Sequence, residues 1–198
     1  MRKRNAIIGA LVLLLPIAQP LLIGTGAVFT SAGLMLAASE KAYAESAGFY
    51  FIRAYNKAEE GDFYGAISDY TKVIEINPRD EKAYNNRGYA KNALKDYQAA
   101  ILDFNKAIEI NPRSVDAFYN RARSHLFLGD NYGSISDNTR ALEINPRLAD
   151  AYLNRGIAKS NLGDKKGACN DYKKAISLGS KSTEEWLVTE GAAWCRNM

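Results

Sequence analysis

The tetrapeptide Ile-Asn-Pro-Arg occurs three times in the chain, beginning at Ile76, Ile110 and Ile144, so that each copy follows the last by 34 residues. A fixed internal period of this length is typical of solenoids, in which one helical pair cannot bury its apolar face alone and stacks on its neighbours. The period divides the chain into four units, 47–80, 81–114, 115–148 and 149–182, followed by residues 183–198. We therefore predict an all-α solenoid of four helical pairs.

The second unit shows why each repeat should fold as two helices joined by a turn. Apolar and small residues recur at helical spacing in 81–94 and again in 97–110. Asn111-Pro112 should end the second helix, because proline cannot continue a helix and the residue before it avoids the α region. Between the helices stands Lys95, which should cost some stability, because glycine adopts a left-handed conformation more easily. The other units have glycine at this place: Gly61, Gly129 and Gly163.

Small and aromatic residues recur at fixed places of the unit, as expected of side chains that interlock in one core. The eighth place is always small, with Ala54, Gly88, Ala122 and Gly156. The fourth place is always aromatic, with Tyr50, Tyr84, Phe118 and Tyr152. The twenty-fourth place is aromatic in three units, with Tyr70, Phe104 and Tyr172. These columns are interpreted as knobs and holes of a continuous core.

This pattern of small residues, aromatics and a closing proline resembles the tetratricopeptide repeat family over essentially all of 47–182. The resemblance implies a right-handed superhelical solenoid of four helix pairs. The fourth unit departs from the pattern, because Ser180 stands where the others have proline. Residues 183–198 are expected to form a C-terminal capping helix with Thr183 as its N-cap. Its apolar residues would cover the open end of the core: Trp186, Leu187 and Trp194.

Arginine occupies the seventh place of every unit and aspartate the twenty-third. We interpret the two columns as a structural Arg–Asp ladder that ties first helices to second helices, since the planar guanidinium matches a carboxylate. The alternative is a row of anion-binding arginines, which strict repetition disfavours because a ligand rarely has a 34-residue translational symmetry. The ladder consists of Arg53, Arg87, Arg121 and Arg155 with Asp69, Asp103, Asp137 and Asp171.

The resemblance also implies a concave groove, lined by the first helices, that binds a peptide or partner segment. The alternative is that some groove positions only pack between adjacent first helices. The predicted groove residues are Tyr55, Lys82, Asn85, Tyr89, Asn92, Tyr119, Arg123, Leu153 and Ile157. Some members of the family clamp a chaperone's C-terminal carboxylate with Lys, Asn and Arg, and chaperone-tail binding is not predicted here. The clamp places hold Phe51, Tyr55, Asp116 and Asn120.

The two cysteines are expected to form a disulfide. If the last helices pack antiparallel, Cys169 and Cys195 reach similar heights at about 1.5 Å per residue. A disulfide would staple the cap and suit an oxidising compartment. The alternative is two buried thiols, and a redox role is not expected because the pair is not C-x-x-C.

Nothing in the sequence supplies a catalytic or metal centre. His125 is the sole histidine, and no nucleophile, phosphate-loop or zinc motif is present. We therefore predict a protein that is not an enzyme and needs neither cofactor nor metal. Four of the 26 basic residues and one of the 22 acidic residues lie in 1–44, which leaves the remainder with a net charge of +1. A nucleic-acid partner is not expected of such a surface.

The first 44 residues are predicted to be a targeting segment. Arg2-Lys3-Arg4 precedes a charge-free apolar run that covers residues 6–38, and Ala42-Tyr43-Ala44 matches an A-x-A cleavage pattern. The preferred interpretation is a signal peptide cleaved after Ala44. The alternative is an uncleaved membrane anchor. Both place the repeats outside the cytoplasm, in a periplasm or an equivalent lumen.

These features together predict an exported scaffold, an assembly or adaptor factor that binds another protein in its concave groove. Two alternatives remain open. The repeats could self-associate as a structural module of an envelope complex, or the groove could hide a catalytic or carrier role.

Overall fold

The computed structural model describes residues 46–181, 183–185 and 194–195. Eight α-helices follow one another in the described residues, and no strand occurs among them. None of the described helices is both long and apolar enough to cross a membrane. The helices are α1 (Ala47–Glu59), α2 (Phe63–Ile76), α3 (Glu81–Ala93), α4 (Tyr97–Ile110), α5 (Val115–Phe127), α6 (Asn131–Ile144), α7 (Ala149–Asn161) and α8 (Lys165–Ser177). The odd-numbered helices are the first helices of the four units, and the even-numbered helices are the second.

The Ile-Asn-Pro-Arg motif ends the second helix of three units. In the first unit Ile76 is the last helical residue and Asn77 leaves the helical conformation. The side chain of Asn77 then accepts a hydrogen bond from the backbone N–H of Arg79, at 3.3 Å. The same bond recurs in the next two units, at 3.1 Å in each. The motif repeats because each unit stops its helix in the same way.

The turn between paired helices requires a left-handed residue in every unit. Gly61, Gly129 and Gly163 adopt φ values of 83°, 77° and 83°. Lys95 adopts a φ of 64°, and it is the one non-glycine residue with positive φ in the described part of the chain. A side chain in this conformation costs roughly 1 kcal/mol relative to glycine. The strain expected from the sequence is therefore present in the second unit.

Glycine at the eighth place allows an aromatic ring to touch the first helix. A Cβ built on Gly88 would lie 2.6 Å from Cε1 of Phe104, and one on Gly156 would lie 2.5 Å from Cε1 of Tyr172. Both rings are fully buried. The third unit differs, because the fully buried Asn138 replaces the aromatic and donates to the carbonyl of Ser134 at 2.9 Å. The eighth and twenty-fourth places thus form the core as predicted. The fourth place contributes one buried ring, Phe118, and three partly exposed rings: Tyr50, Tyr84 and Tyr152.

The C-terminal end corrects one detail of the prediction. Residues 181 and 183–185 are helical, but Ser180 rather than Thr183 acts as the cap: its Oγ accepts from the Thr183 N–H at 3.4 Å. Thr183 is fully buried instead. Gly179, with φ of 92°, forms a tight turn directly before Ser180, and the cap therefore lies three residues earlier than the sequence pattern suggests. Trp186 and Leu187 lie outside the described residues, and most of the predicted capping helix over 183–198 does too.

Candidate partner-binding groove

The Arg–Asp ladder joins the two helices of each unit. All four arginines donate through Nε and Nη2 to both carboxylate oxygens of the aspartate in their own unit, at 2.5–2.9 Å. The aspartates are buried, and hydrogen bonding from Arg53 lowers the pKa of Asp69 below its ordinary value. Arg87, Arg121 and Arg155 also donate to the preceding unit, through Thr71, Asn105 and Thr139. This geometry matches the structural interpretation of the ladder.

In three of the four units, a lysine that the sequence analysis did not identify also contacts the aspartate of the ladder. Lysine at the eleventh place contacts the same aspartate in three units, at 2.7–2.9 Å from Nζ to the carboxylate. The third unit has His125 there, with Nε2 3.8 Å from Asp137 and Nδ1 2.8 Å from Asp130. The recurrence at one place of the unit is a signal that could have revealed the role. The lysines are Lys57, Lys91 and Lys159.

The three tyrosines predicted for the groove lie together. Tyr55, Tyr89 and Tyr119, on α1, α3 and α5, line one pocket of about 350 Å³ with Arg123. We call this pocket the main pocket, and the surface around it the tyrosine groove. Tyr119 is partly buried, and burial raises the pKa of its hydroxyl. The guanidinium of Arg123 lies 5.9 Å from the Tyr119 ring centroid, within cation–π range.

The asparagines predicted for the groove mainly connect first helices. Asn85 accepts from Nδ2 of Asn120 at 3.1 Å, and Asn92 accepts from Oγ of Ser124 at 2.8 Å. Asn85 still borders the main pocket, whereas Asn92 lines a smaller pocket beside it. Packing between first helices, the alternative left open by the sequence, therefore describes much of what these two side chains do.

The remaining predicted groove residues do not line the main pocket. Lys82 borders a neighbouring cleft that is rich in polar side chains. Leu153 and Ile157 pack against the cluster formed by Cys169, Tyr172 and their neighbours. In the fourth unit, these two groove places therefore pack against a cluster that α8 forms together with Cys195.

Several residues of the main pocket were not predicted. Asn86 and Asn120 occupy the sixth place of their units, where Asn154 also stands, so a column was visible in the sequence. Glu59 and Asp116 add negative charge to the lining. For Glu59 no repeating pattern marks the position. The pocket thus offers amides, carboxylates, a guanidinium and aromatic rings, which is the chemistry of recognition.

The cysteines contribute no thiol to the surface. Cys169 and Cys195 form a disulfide with their Cα atoms 5.3 Å apart, and both are almost fully buried. Trp194 packs on the same cluster. Across the described residues no three His, Cys, Asp or Glu side chains gather in a way that could hold a metal ion.

A stack of helical pairs with a peptide-sized groove along its first helices defines a class of helical-repeat interaction proteins. Family models described as tetratricopeptide repeat match residues 81–114, 104–134, and both 47–80 and 149–179. The chain belongs to the tetratricopeptide repeat family. No curated protein matches it in sequence.

Solved structures with the same fold extend this result. A crystal structure of MamA protein shares 25% identity with a TM-score of 0.67, covering 77% of this chain and 86% of that one. MamA from Desulfovibrio magneticus RS-1 shares 18% identity with a TM-score of 0.66, covering 76% and 89%. The first repeat domain of Spaghetti (RPAP3), bound to an HSP90 peptide, shares 24% identity with a TM-score of 0.58, covering 59% and 93%.

Proposed function

We propose that the protein is a non-enzymatic scaffold that binds a segment of another protein in the tyrosine groove. One observation carries the proposal: Tyr55 and Tyr89 leave 51% and 47% of their surface exposed around the same pocket. Neither ring fills the core. Tyrosine is a common anchor of interfaces because it offers a large apolar area and a hydroxyl at low entropic cost.

The lining of the groove favours a peptide segment over a small apolar molecule. Asn86 and Asn120 place side-chain amides in the pocket. Each amide has more donors and acceptors than its bond to Asn85 uses, so it can still bond to a peptide backbone. Glu59, Asp116 and Arg123 add charges of both signs, which suits a segment with mixed side chains. A scaffold or adaptor role needs such a surface and no reactive group.

Affinity capture with the full chain tests the proposal. The groove variant is Tyr55→Ala/Tyr89→Ala, and the matched control is Tyr64→Ala/Tyr132→Ala, which removes two tyrosines from second helices, 76% and 75% exposed. We expect the wild type and the control variant to retain a protein that the groove variant does not retain. Circular dichroism should show that all three chains are equally helical. Equal retention by the groove variant would contradict the proposal. Light scattering over a range of concentrations tests the self-association alternative.

We also propose that the protein is exported. Support comes from the charge-free run and A-x-A pattern of residues 1–44, and from the buried Cys169–Cys195 disulfide, which suits an oxidising compartment. Fractionation with intact-mass measurement tests this. If the protein in the soluble envelope fraction has the mass of the chain without residues 1–44, the result supports cleavage. If the protein in the membrane fraction has the mass of the whole chain, the result supports the anchored alternative. A full-length cytoplasmic protein would refute export.

A further inference from the structure

The pocket beside the main one gathers residues that depart from the repeat pattern. It has a volume of about 290 Å³ and shares Tyr89 and Arg123 with the main pocket. The ninth place is Arg123 in the third unit but tyrosine or isoleucine elsewhere, and the thirteenth is Phe127 where other units have Glu, Ala or Asn. We call this surface the basic aromatic pocket. It is lined by Tyr89, Asn92, Ala93, Lys95, Tyr97, Arg123 and Phe127.

Lys95 is the strongest of these departures. The other three units have glycine at this turn, and Lys95 adopts the same left-handed conformation at φ of 64°. Strained residues of this kind cluster at functional sites, because a side chain is kept there despite the backbone cost. Here the strained turn places a lysine at the rim of a pocket.

The charge in this pocket is of one sign. Lys95 and Arg123 are its charged lining residues, and neither forms an ion pair with a carboxylate of the described residues. The main pocket instead includes Glu59 and Asp116. Two cations without a carboxylate partner among the described residues favour an anionic group beside them.

An exposed aromatic surface lies next to these cations. The rings of Tyr97 and Phe127 stack with centroids 5.0 Å apart and planes 15° apart, yet Phe127 stays 60% exposed. A phenylalanine this exposed gains little from the fold and offers its ring to a ligand. The pocket therefore combines an apolar contact with two positive charges.

We propose that the basic aromatic pocket binds an acidic side chain of the partner segment together with an adjacent aromatic or large aliphatic side chain. The inference rests on the proposed function. The two pockets share Tyr89 and Arg123, so a segment in one continues into the other. The carboxylate is assigned to an internal Asp or Glu, because the places that clamp a chain terminus in some members of the family hold other residues here: Phe51, Tyr55, Asp116 and Asn120.

Peptide libraries test this with the immobilised full chain. Three libraries consist of acetylated, amidated peptides with random flanks around a fixed central pair, which is Glu-Phe, Gln-Phe or Glu-Ala. A fourth library has random residues followed by Glu-Phe at a free C-terminus. We expect the internal Glu-Phe library to bind about three- to fivefold better than Gln-Phe, as a partly exposed ion pair allows, and better than Glu-Ala. Equal binding of Gln-Phe, a preference for the free terminus, or no binding of Glu-Phe would overturn the inference.

Variants separate the pocket from the stability of the fold. Lys95→Gly relieves the strained turn, so it should raise the unfolding temperature while weakening Glu-Phe binding about threefold. Phe127→Ala should also weaken it, whereas Lys181→Gln, which changes an exposed lysine outside the pocket, should not. Unchanged binding by Lys95→Gly would refute the inference. If the inference failed in this way and Tyr55→Ala alone still abolished capture of the partner, the proposed function would stand without the inference about the basic aromatic pocket.

Discussion

The Arg–Asp ladder presents one contact in two settings, which allows its contribution to be measured by substitution. The side chain of Arg53 is 43% exposed, and that of Arg87 is 17% exposed. Arg87 also donates to Thr71 of the preceding unit, at 3.1 Å, whereas Arg53 belongs to the first unit. We therefore compare Arg53→Gln with Arg87→Gln.

Burial determines the expected magnitudes. Breaking a buried ion pair costs several kcal/mol, but Asp103 keeps Lys91 at 2.7 Å, so Arg87→Gln should lower the free energy of unfolding by about 2–3 kcal/mol. For the exposed Arg53 solvent screens most of the attraction, and Asp69 keeps Lys57 at 2.9 Å, so Arg53→Gln should cost about 1 kcal/mol.

Urea unfolding followed by far-UV circular dichroism measures both values at neutral pH. Equal losses would refute the reasoning, because the two arginines make the same contact with aspartate and differ in burial and in the bond from Arg87 to Thr71. A pH arm adds a second check. The pKa of Asp69 is lowered in the fold, so its contribution is present above the unfolded pKa of about 3.9 and is lost as pH falls through the lower folded pKa. The deficit of Arg53→Gln should therefore shrink in acid.

Three further predictions concern the core, the chain end and the third unit. Gly88→Ala should destabilise the fold by about 2 kcal/mol because its Cβ would enter a buried ring, whereas Gly48→Ala, with no neighbour nearer than 3.9 Å, should not; urea midpoints decide. Reducing the Cys169–Cys195 disulfide, which closes a loop of 26 residues, should lower the free energy of unfolding by at most about 3.5 kcal/mol. Hydrogen exchange should show the loss of protection in the fourth unit rather than in the first. His125→Lys gives the third unit the lysine that contacts the ladder aspartate in the other units, and should raise the free energy of unfolding by about 0.5 kcal/mol. An unchanged or lower melting temperature would count against a stabilising role of this second cation.

Features that repeat along the chain were predictable because the fold translates one local pattern. The period of Ile76, Ile110 and Ile144 marks where helices stop, and each stop uses a bond between residues two apart. The ladder columns pair residues of the same unit, 16 apart, and structure and sequence agree on that pairing. The family was recognisable for the same reason.

Features at the ends and in the groove were less predictable, because they depend on what packs against each unit. Leu153 occupies a groove place by sequence, yet in the structure it packs against the cluster that α8 forms with Cys195. Asn92 was expected to face a partner, yet Ser124 donates to it from the next first helix. The cap moved from Thr183 to Ser180 because the turn geometry, rather than residue preference alone, selects the capping residue.

The sequence by itself determined a four-unit helical solenoid, its ladder and its aromatic columns, since each follows from the residues of one unit and their spacing. Only the tertiary structure decided which side chains share a pocket. Lys95, Arg123 and Phe127 belong to two units and lie up to 32 residues apart, and they meet because the first helices of neighbouring units pack against each other. The position of one unit relative to the next depends on how the two pack together, and the residues of a single unit do not determine it.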